Sequence, residues 1–348
     1  MGVTITNNNR ICHLKGTPRE IGFNHGRALK DVFEEYIHLY IEEGLQALNL
    51  IDVAKLRCGA LPWLRKLPLR FQEEIEGMSD GSGIPLERLA QWWFSESCFL
   101  KNCSAFVCEI DGKAWVGRNN DAWLPDLWGY TIIREVEGRL PTITFGLQGD
   151  VFTATGVNKE RLWLHANALP TSDAPSPDKP HLDFYVFIPE ALETCRTISD
   201  IENLLNTVDR IGGMNLFVVD GKTNEFVVFE CVCSSYARRD PSHGKIVATN
   251  HGCSTTGRAA GKIPSKSEQR YNKMEALLEQ ELPSHLPDDL IRILADKDVE
   301  QRREAENFWT VYTNIACPSL GLTWFAYGGP PAASQGIWHK IDWPWYQN

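Results

Sequence analysis

The sequence predicts an α+β fold in which two antiparallel sheets pack together with helices outside them. Residues 1–102 carry mainly helical patterns, whereas short alternating apolar runs dominate from Cys103 onward. These runs follow one another directly, without a helix between each pair, and this order favours antiparallel over parallel sheets. We therefore expect residues 1–102 to form a mainly helical segment and residues 103–348 to form the core. Both should belong to one structural domain.

Helical signals dominate up to residue 94. Residues 17–20, Thr-Pro-Arg-Glu, form a typical helix start, because the Thr can cap the helix, the Pro fits its first turn and the Glu completes a capping box. Apolar residues then recur at helical spacing to about residue 47. A second helical zone is expected over residues 53–78, and a third helix, rich in aromatic residues, begins at Pro85.

Short strands bounded by Gly, Asp or Pro are predicted at the N-terminus and after the helical segment. The expected strands lie within residues 1–15 and at 105–110, 114–117, 130–136, 142–146, 152–155, 162–166, 215–219, 225–230, 245–248, 310–315 and 322–327. Further helices are expected over residues 182–195, 198–208, 265–282 and 286–294. The chain shows no internal repeat, so this order of elements describes a single unit.

The composition indicates a globular protein and excludes several classes. The 348 residues carry a formal net charge of -10 and no long basic stretch, which argues against nucleic-acid binding. No apolar run approaches the ~20 residues that span a bilayer. The ten cysteines show no C-x-x-C pair and no metal-ligand spacing. We therefore expect reduced thiols in a cytoplasmic protein that requires no metal or organic cofactor.

Cys103 stands at the head of an alternating apolar run, and this position makes it a candidate nucleophile. The run continues to the turn Asp111-Gly112, and the next run ends in Gly117-Arg118-Asn119-Asn120-Asp121. An antiparallel hairpin would deliver Asp121 beside Cys103, where a carboxylate can orient an amine or a thiol. Arg118 lies at the same strand end and could favour the thiolate electrostatically.

A thiol nucleophile needs a base, and cleavage of the Asn102–Cys103 bond would supply one. The new α-amine of Cys103 has a reference pKa of ~7.7–8, so one residue would provide both nucleophile and general base. The cut can be autocatalytic: the thiol attacks the Asn102 carbonyl, a thioester forms, and water hydrolyses it. Asn167 and Asn250 each follow an apolar run and are candidate donors to an oxyanion.

Five segments, in this order along the chain, resemble the acyl-coenzyme A:6-aminopenicillanic acid acyltransferase family. The segments are residues 16–26, 103–106, 117–121, 156–167 and 249–251, the last followed by a helix that carries Arg270. The family is also called the isopenicillin N acyltransferases, and it is related to β-alanyl-amine hydrolases and choloylglycine hydrolases. All are N-terminal nucleophile (Ntn) hydrolases. The resemblance covers nearly the whole chain and implies a four-layer αββα sandwich with two antiparallel sheets.

The resemblance also implies roles for individual residues. Cys103 is the nucleophile and, after cleavage, the new N-terminus. Asp121 holds and polarises its amine, and Arg118 lies near the thiol. Asn250 stabilises the oxyanion, and Asn167 stabilises the oxyanion or contacts the substrate.

The expected reaction is cleavage or transfer of the acyl group of a small N-acyl amide through a Cys103 thioester. Trp123 and Phe106, close to the two motifs, are the candidate substrate-binding residues. Hydrolysis is favoured over transfer because water is always available, and because Pro318-Ser319-Leu320-Gly321 stands where the acyltransferases carry a late Arg. A coenzyme A thioester would be the donor only for transfer. Processing would give a heterodimer of the two fragments, with the helical segment as the small subunit.

Two other interpretations remain open. In one, the chain is an unprocessed binding protein or an inactive homologue, since Asn102 stands where the acyltransferases usually have Gly. In the other, Cys103 pairs with His251 in an uncut cysteine hydrolase. A full-length chain without turnover would favour the first. Loss of activity on His251→Ala, without chain cleavage, would favour the second.

Overall fold

Two sheets packed face to face, with helices on both outer faces, form the structure. The computed structural model describes residues 4–6, 10–98, 102–254, 263, 266–280 and 285–346. Two helices between residues 184 and 207, together with an N-terminal helix, cover the larger sheet, and the helices after residue 266 cover the smaller one. This arrangement confirms the predicted α+β class with two packed sheets.

The larger sheet contains the first strands of the chain and most of its middle. In spatial order its strands are β1 (Thr4–Thr6), β2 (Ile11–Gly16), β5 (Trp128–Val136), β6 (Thr142–Leu147), β7 (Thr155–Asn158), β8 (Leu162–Leu169), β11 (Gly213–Asp220), β12 (Glu225–Cys231) and β13 (Tyr236–Arg239). All of its neighbouring pairs are antiparallel except β2 and β5, which run parallel. That exception to the predicted antiparallel order is possible because a long, largely helical connection separates these two strands.

The smaller sheet carries the candidate nucleophile. In spatial order its strands are β14 (Lys245–Ala248), β3 (Asn102–Ile110), β4 (Lys113–Trp123), β16 (Phe308–Cys317), β17 (Leu322–Tyr327) and β18 (Ile337–Asp342), with β15 (Arg302–Arg303) beside β16. A separate parallel pair joins β9 (His181–Asp183) to β10 (Asp209–Ile211).

The helices agree with most of the predicted zones. They are α1 (Pro18–Leu29), α2 (Phe33–His38), a π-helical turn (Leu39–Gln46), α3 (Val53–Leu64), α4 (Leu69–Ser82), α5 (Leu86–Glu96), α6 (Phe184–Thr194), α7 (Ile198–Thr207), α8 (Ser267–Gln280), α9 (Asp288–Leu294) and α10 (Ala332–Gln335). The capping box at Thr17 and Glu20 is present. The ends predicted for the helix over 265–282 lie outside the described residues. No helix within the described ranges is long and apolar enough to cross a membrane.

The first predicted helix is interrupted after Leu29. Val32 has φ −123° and ψ −20°, which departs from helical geometry, and α2 begins only at the next residue. The chain then continues as a π-helical turn instead of a regular α-helix. Helical periodicity in the sequence therefore located the zone but not the change in its backbone geometry.

A two-residue turn between β3 and β4 places the candidate nucleophile. Asp111 has φ 50° and Gly112 has φ 69°, as the central residues of a type I′ hairpin turn require. The turn sets Ile110 opposite Lys113, and the ladder continues without a shift to Cys103 opposite Asn120. Side chains alternate along both strands, so the turn also decides which residues share the thiol's face.

Helices α1 and α4 approach each other closely through glycines on both sides. A Cβ added at Gly22 of α1 would lie 1.9 Å from the carbonyl oxygen of Glu74, and one added at Gly77 of α4 would lie 2.2 Å from that of Arg19. Both contacts are with rigid helix backbone. The two helices therefore cannot accommodate larger residues at these positions without separating.

Gly77→Ala is expected to destabilise the protein, although Ala is the better helix former. Because the added methyl group would meet the Arg19 carbonyl, we expect the free energy of unfolding to fall by about 1–3 kcal/mol. Urea denaturation measures the change. Glu73→Ala, at a half-exposed position of the same helix, is the control and should leave the midpoint nearly unchanged. Equal midpoints for both variants would contradict the close contact.

Candidate active site

The thiol of Cys103 lies buried beside a cation. Cys103 is the second residue of β3 and is only 3% exposed. Arg118 donates from Nη2 to its Sγ at 3.4 Å, and the thiol lies 3.7 Å from Oδ1 of Asn120. Burial raises the pKa of the Cys103 thiol, and the positive charge of Arg118 opposes that rise. The hairpin thus brings the sulfur to a group that favours its ionised form.

Arg118 is fully buried and connects the two sheets through neutral groups. Its Nη1 donates to the hydroxyl of Tyr312 at 3.0 Å, and its Nη2 donates to the carbonyl oxygen of Ala166 in the larger sheet at 3.1 Å. Nη2 also donates to Oδ1 of Asn120 at 3.0 Å. Within the described chain, none of its partners is a carboxylate. Since a buried unpaired charge is costly, Arg118 favours the ionised form of the adjacent thiol, and it thereby offsets part of the rise in the thiol's pKa that burial causes.

The backbone nitrogen of Cys103 has a side-chain partner of its own. It donates to Oδ1 of Asn250 at 2.9 Å, and Arg270 donates from Nη2 to the same oxygen at 2.8 Å. Both partners can only donate, so the atom that they share must be the amide oxygen. If the chain were cut before Cys103, its α-amine would therefore lie against Asn250.

The backbone of Asp121 hydrogen bonds to the Cys103 thiol, whereas its carboxylate pairs with other side chains. Its Oδ2 accepts from Nη1 of Arg270 at 2.8 Å, and its Oδ1 accepts from the hydroxyl of Thr310 at 2.7 Å. Burial raises the pKa of Asp121 to about 6, and Arg270 opposes the rise. The carboxylate thus reaches the Cys103 nitrogen through Arg270 and Asn250, because Asp121 stands opposite Asn102 in the hairpin.

Asn167 and Asn250 join the two sheets beside the nucleophile. Asn167 in β8 donates from Nδ2 to the carbonyl oxygen of Ala248 in β14 at 3.0 Å. Asn250, just beyond β14, donates from Nδ2 to the carbonyl oxygen of Ala168 in β8 at 2.9 Å. Both predicted residues are therefore at the site, and their role as oxyanion donors stays a prediction.

The two predicted substrate-binding residues lie away from the thiol's face. Phe106 follows Cys103 by three residues, so it points to the opposite side of the sheet, where it packs in the core beneath α8 and α9. The predicted substrate-binding role of Phe106 is therefore not supported. Trp123 lies on the same face as Asp121, and its ring packs edge-to-face on Phe308 with centroids 4.7 Å apart.

The position of His251 does not favour a Cys–His pair. Its Nδ1 contacts the hydroxyls of Thr249 and Ser267 at 3.0 and 2.8 Å, and its ring lies against Tyr271. Burial lowers the pKa of His251. In the part of the chain that the structure describes, the side chains that contact the thiol are those of Arg118 and Asn120, and the backbone of Asp121 also hydrogen bonds to it.

The sequence did not predict the contacts of Arg270 and Asn120. Asn120 could have been found by counting back from the Asp111-Gly112 turn, because a two-residue loop sets it opposite Cys103. Arg270 stood in a helix after a recognised motif, but 149 positions separate it from Asp121. Nothing in the local pattern indicates such a pairing.

Arg118→Met should raise the pKa of the Cys103 thiol. The variant keeps an unbranched side chain but removes the charge that stabilises the thiolate. The pKa is read from the pH dependence of the thiolate's ultraviolet absorbance, after subtraction of the Cys103→Ala titration. Arg88→Met is the control, since Arg88 forms its ion pairs with Glu34 and Glu42 on another face of the protein. An unchanged titration in Arg118→Met would show that the guanidinium does not act on the thiol.

Arg270→Met should destabilise the protein strongly. The change leaves the buried carboxylate of Asp121 without its cation, and we expect a loss of about 3–5 kcal/mol in the free energy of unfolding. Lys273→Met on the same helix is the matched control, because its ion pair with Asp296 is partly exposed and should contribute less than about 1 kcal/mol. Denaturant unfolding at neutral pH measures both. Similar losses in the two variants would contradict a central role for the Arg270–Asp121 pair.

The chain matches a known family over most of its core. The profile described as "Acyl-coenzyme A:6-aminopenicillanic acid acyl-transferase" matches residues 108–330. This range includes Asp121, Asn167, Asn250 and Arg270, and it begins after Cys103. The match therefore covers every residue predicted to assist the nucleophile, and it does not include Cys103 itself.

The chain also resembles individual proteins in sequence or in fold. The acyl-coenzyme A:6-aminopenicillanic-acid-acyltransferase 40 kDa form of Emericella nidulans is 25% identical over 285 residues, which are 76% of this chain and 76% of that protein. A variant of the conjugated bile acid hydrolase from Clostridium perfringens shares the fold with TM-score 0.52 and 14% identity, over 69% of this chain and 92% of that one. Penicillin V acylase from Agrobacterium tumefaciens gives TM-score 0.48 and 15% identity, over 69% and 86%. Because the family match spans more than half of its length, the chain belongs to the acyl-coenzyme A:6-aminopenicillanic acid acyl-transferase family.

Proposed function

We propose that this protein is a self-processing cysteine Ntn enzyme that removes the acyl group from a small N-acyl amide through a thioester on Cys103. One observation carries the proposal: both reactive atoms of Cys103 have the partners that the reaction needs. Its sulfur lies beside the guanidinium of Arg118, and its nitrogen is hydrogen bonded to Asn250. A buried backbone N–H needs an acceptor in any residue, but a cysteine that served only for packing would not need a guanidinium at its sulfur.

Maturation would begin with attack of the Cys103 sulfur on the carbonyl carbon of Asn102. The C–S bond forms as the C–N bond breaks, and the thiol proton passes to the departing nitrogen, which gives a thioester and a free α-amine. Water then hydrolyses the thioester and leaves a carboxylate on Asn102. The two fragments would remain associated, because β2 of the first fragment pairs with β5 of the second.

The environment of the new amine suits a general base. Its nitrogen would lie at Oδ1 of Asn250, which also accepts from Arg270. The nearby positive charge of Arg270 disfavours the ammonium form, and Asp121 limits that effect by pairing with the same guanidinium. A pKa lowered from the reference value of ~7.7–8 would give the α-amine a larger neutral fraction, able to accept a proton, near neutral pH.

Turnover would use the same two atoms. The amine takes the thiol proton, and the thiolate, stabilised by Arg118, attacks the acyl carbonyl. Collapse of the tetrahedral intermediate breaks the C–N bond, and the ammonium of Cys103 returns the proton to the leaving amine. Water, deprotonated by the amine, then hydrolyses the acyl thioester.

We propose that the acyl group on Cys103 is passed to water, and transfer to an amine is the alternative outcome. A second amine in place of water would accept the acyl group, and a coenzyme A thioester could then replace the amide as donor. The late Arg of the acyltransferases has no counterpart in Pro318–Leu320, which form a short helical turn between β16 and β17. This difference favours water as the acceptor.

Intact mass under denaturing conditions tests the proposal first. Wild type should give two fragments that meet between Asn102 and Cys103, and Cys103→Ala should remain a single chain. Wild type should also hydrolyse at least one member of a panel of N-acyl p-nitroanilides, whereas Cys103→Ala should show no turnover. Assays with an acyl-coenzyme A and a primary amine separate transfer from hydrolysis.

Cys108→Ala is the matched control for these measurements. Cys108 is buried in the same strand but lies on the opposite face, so its replacement should affect neither cleavage nor turnover. An uncut wild type without Cys103-dependent turnover would overturn the proposal. An uncut, active wild type that loses activity in His251→Ala would replace it with the Cys103–His251 enzyme.

A further inference from the structure

Asn120 shares the face of the thiol and stands directly opposite it. Its register partner in β3 is Cys103, and residues that face each other across antiparallel strands have Cβ atoms about 5 Å apart. Only 1% of Asn120 is exposed. Any acyl group bonded to the Cys103 sulfur must therefore pass close to this carboxamide.

The orientation of the carboxamide follows from its partners. Arg118 donates to Oδ1 at 3.0 Å, and the Cys103 thiol lies 3.7 Å from the same atom. A guanidinium has no acceptor, so the atom that it contacts must be the oxygen. The amide nitrogen of Asn120 is thereby turned away from Arg118 and cannot exchange places with the oxygen.

The amide nitrogen is a buried donor without an acceptor. Among the described residues, Nδ2 of Asn120 has no hydrogen-bond partner. The other two asparagines of the site differ, because Asn167 and Asn250 donate from Nδ2 to backbone carbonyls. Burying an unsatisfied amide donor is costly, so a ligand that supplies an acceptor here would gain binding energy.

We propose that Asn120 is a specificity-determining residue, and this proposal rests on the proposed function. Its Nδ2 donates to an oxygen of the acyl group that lies within a few bonds of the scissile carbonyl. The enzyme therefore prefers acyl groups with an ether, hydroxyl or carbonyl oxygen near that position to plain alkyl groups of the same length. An alkyl group would enter the same space but leave the donor unsatisfied.

Two anilides of equal length test the preference. Methoxyacetyl and butanoyl p-nitroanilide differ by one oxygen in place of one methylene, and kcat/KM is measured for both. Wild type should favour the methoxyacetyl substrate roughly tenfold to hundredfold. Asn120→Leu should lose or reverse that ratio. Asn120→Asp, which retains an acceptor for Arg118 but removes the donor, should also lose it.

Asn314→Leu is the matched control. Asn314 is also fully buried on the inner face of this sheet, and in the described chain neither of its amide atoms has a partner. It stands opposite Arg118 in β16, not opposite the thiol, so the substrate ratio should remain that of wild type. A ratio that collapsed equally in Asn314→Leu would overturn the assignment to Asn120.

The outcomes separate this proposal from the proposed function. Cys103-dependent turnover without a methoxyacetyl preference would overturn the role of Asn120 alone. An equal loss on both substrates in Asn120→Leu would also overturn it, because the donor would then act on the carbonyl that both share. If wild type cleaves neither anilide, the two acyl groups are presented as p-nitrophenyl esters and acylation of Cys103 is read by intact mass. No acylation by either ester would overturn both proposals.

Discussion

The buried guanidinium of Arg118 is the constraint on which the site depends. It bonds directly to the carbonyl of Ala166 in the larger sheet, and it bonds to the Tyr312 hydroxyl, which in turn contacts Thr155 of the larger sheet at 3.0 Å. These contacts set the separation of the two sheets at the thiol. Since a buried charge without a counter-ion is unfavourable, the guanidinium favours the thiolate of Cys103 and opposes the rise in the thiol's pKa that burial causes. The buried guanidinium of Arg118 thus takes part both in the packing of the two sheets and in the proposed chemistry.

Strand alternation then distributes the neighbouring residues between two environments. Cys103, Arg118 and Asn120 face the interior between the sheets, whereas Phe106 and Asp121 face the layer of α8 and α9. The nucleophile therefore receives its sulfur contacts from one side of the sheet. The residues that hold its nitrogen approach from the other side and from the end of β14.

This division explains where prediction from sequence succeeded and where it fell short. The strand that carries Cys103, its hairpin and the α+β class follow from local alternation and turn chemistry, and these were confirmed. The hairpin brings the backbone of Asp121 to the Cys103 thiol, but the Asp121 carboxylate faces the other side of the sheet and pairs with Arg270 and Thr310, because the register sets Asp121 opposite Asn102. Phe106 was misplaced for the same reason: three residues along a strand change the face.

The sequence by itself determined the hairpin. Asp111-Gly112 supplies the two positive φ values that a two-residue turn needs, and counting from that turn sets Asn120 opposite Cys103. Only the tertiary structure decided that Arg270 joins Asp121 to Asn250. The physical reason is that hydrogen bonds across a turn depend on neighbouring residues, whereas a buried ion pair forms wherever packing brings two distant segments together and excludes water from both.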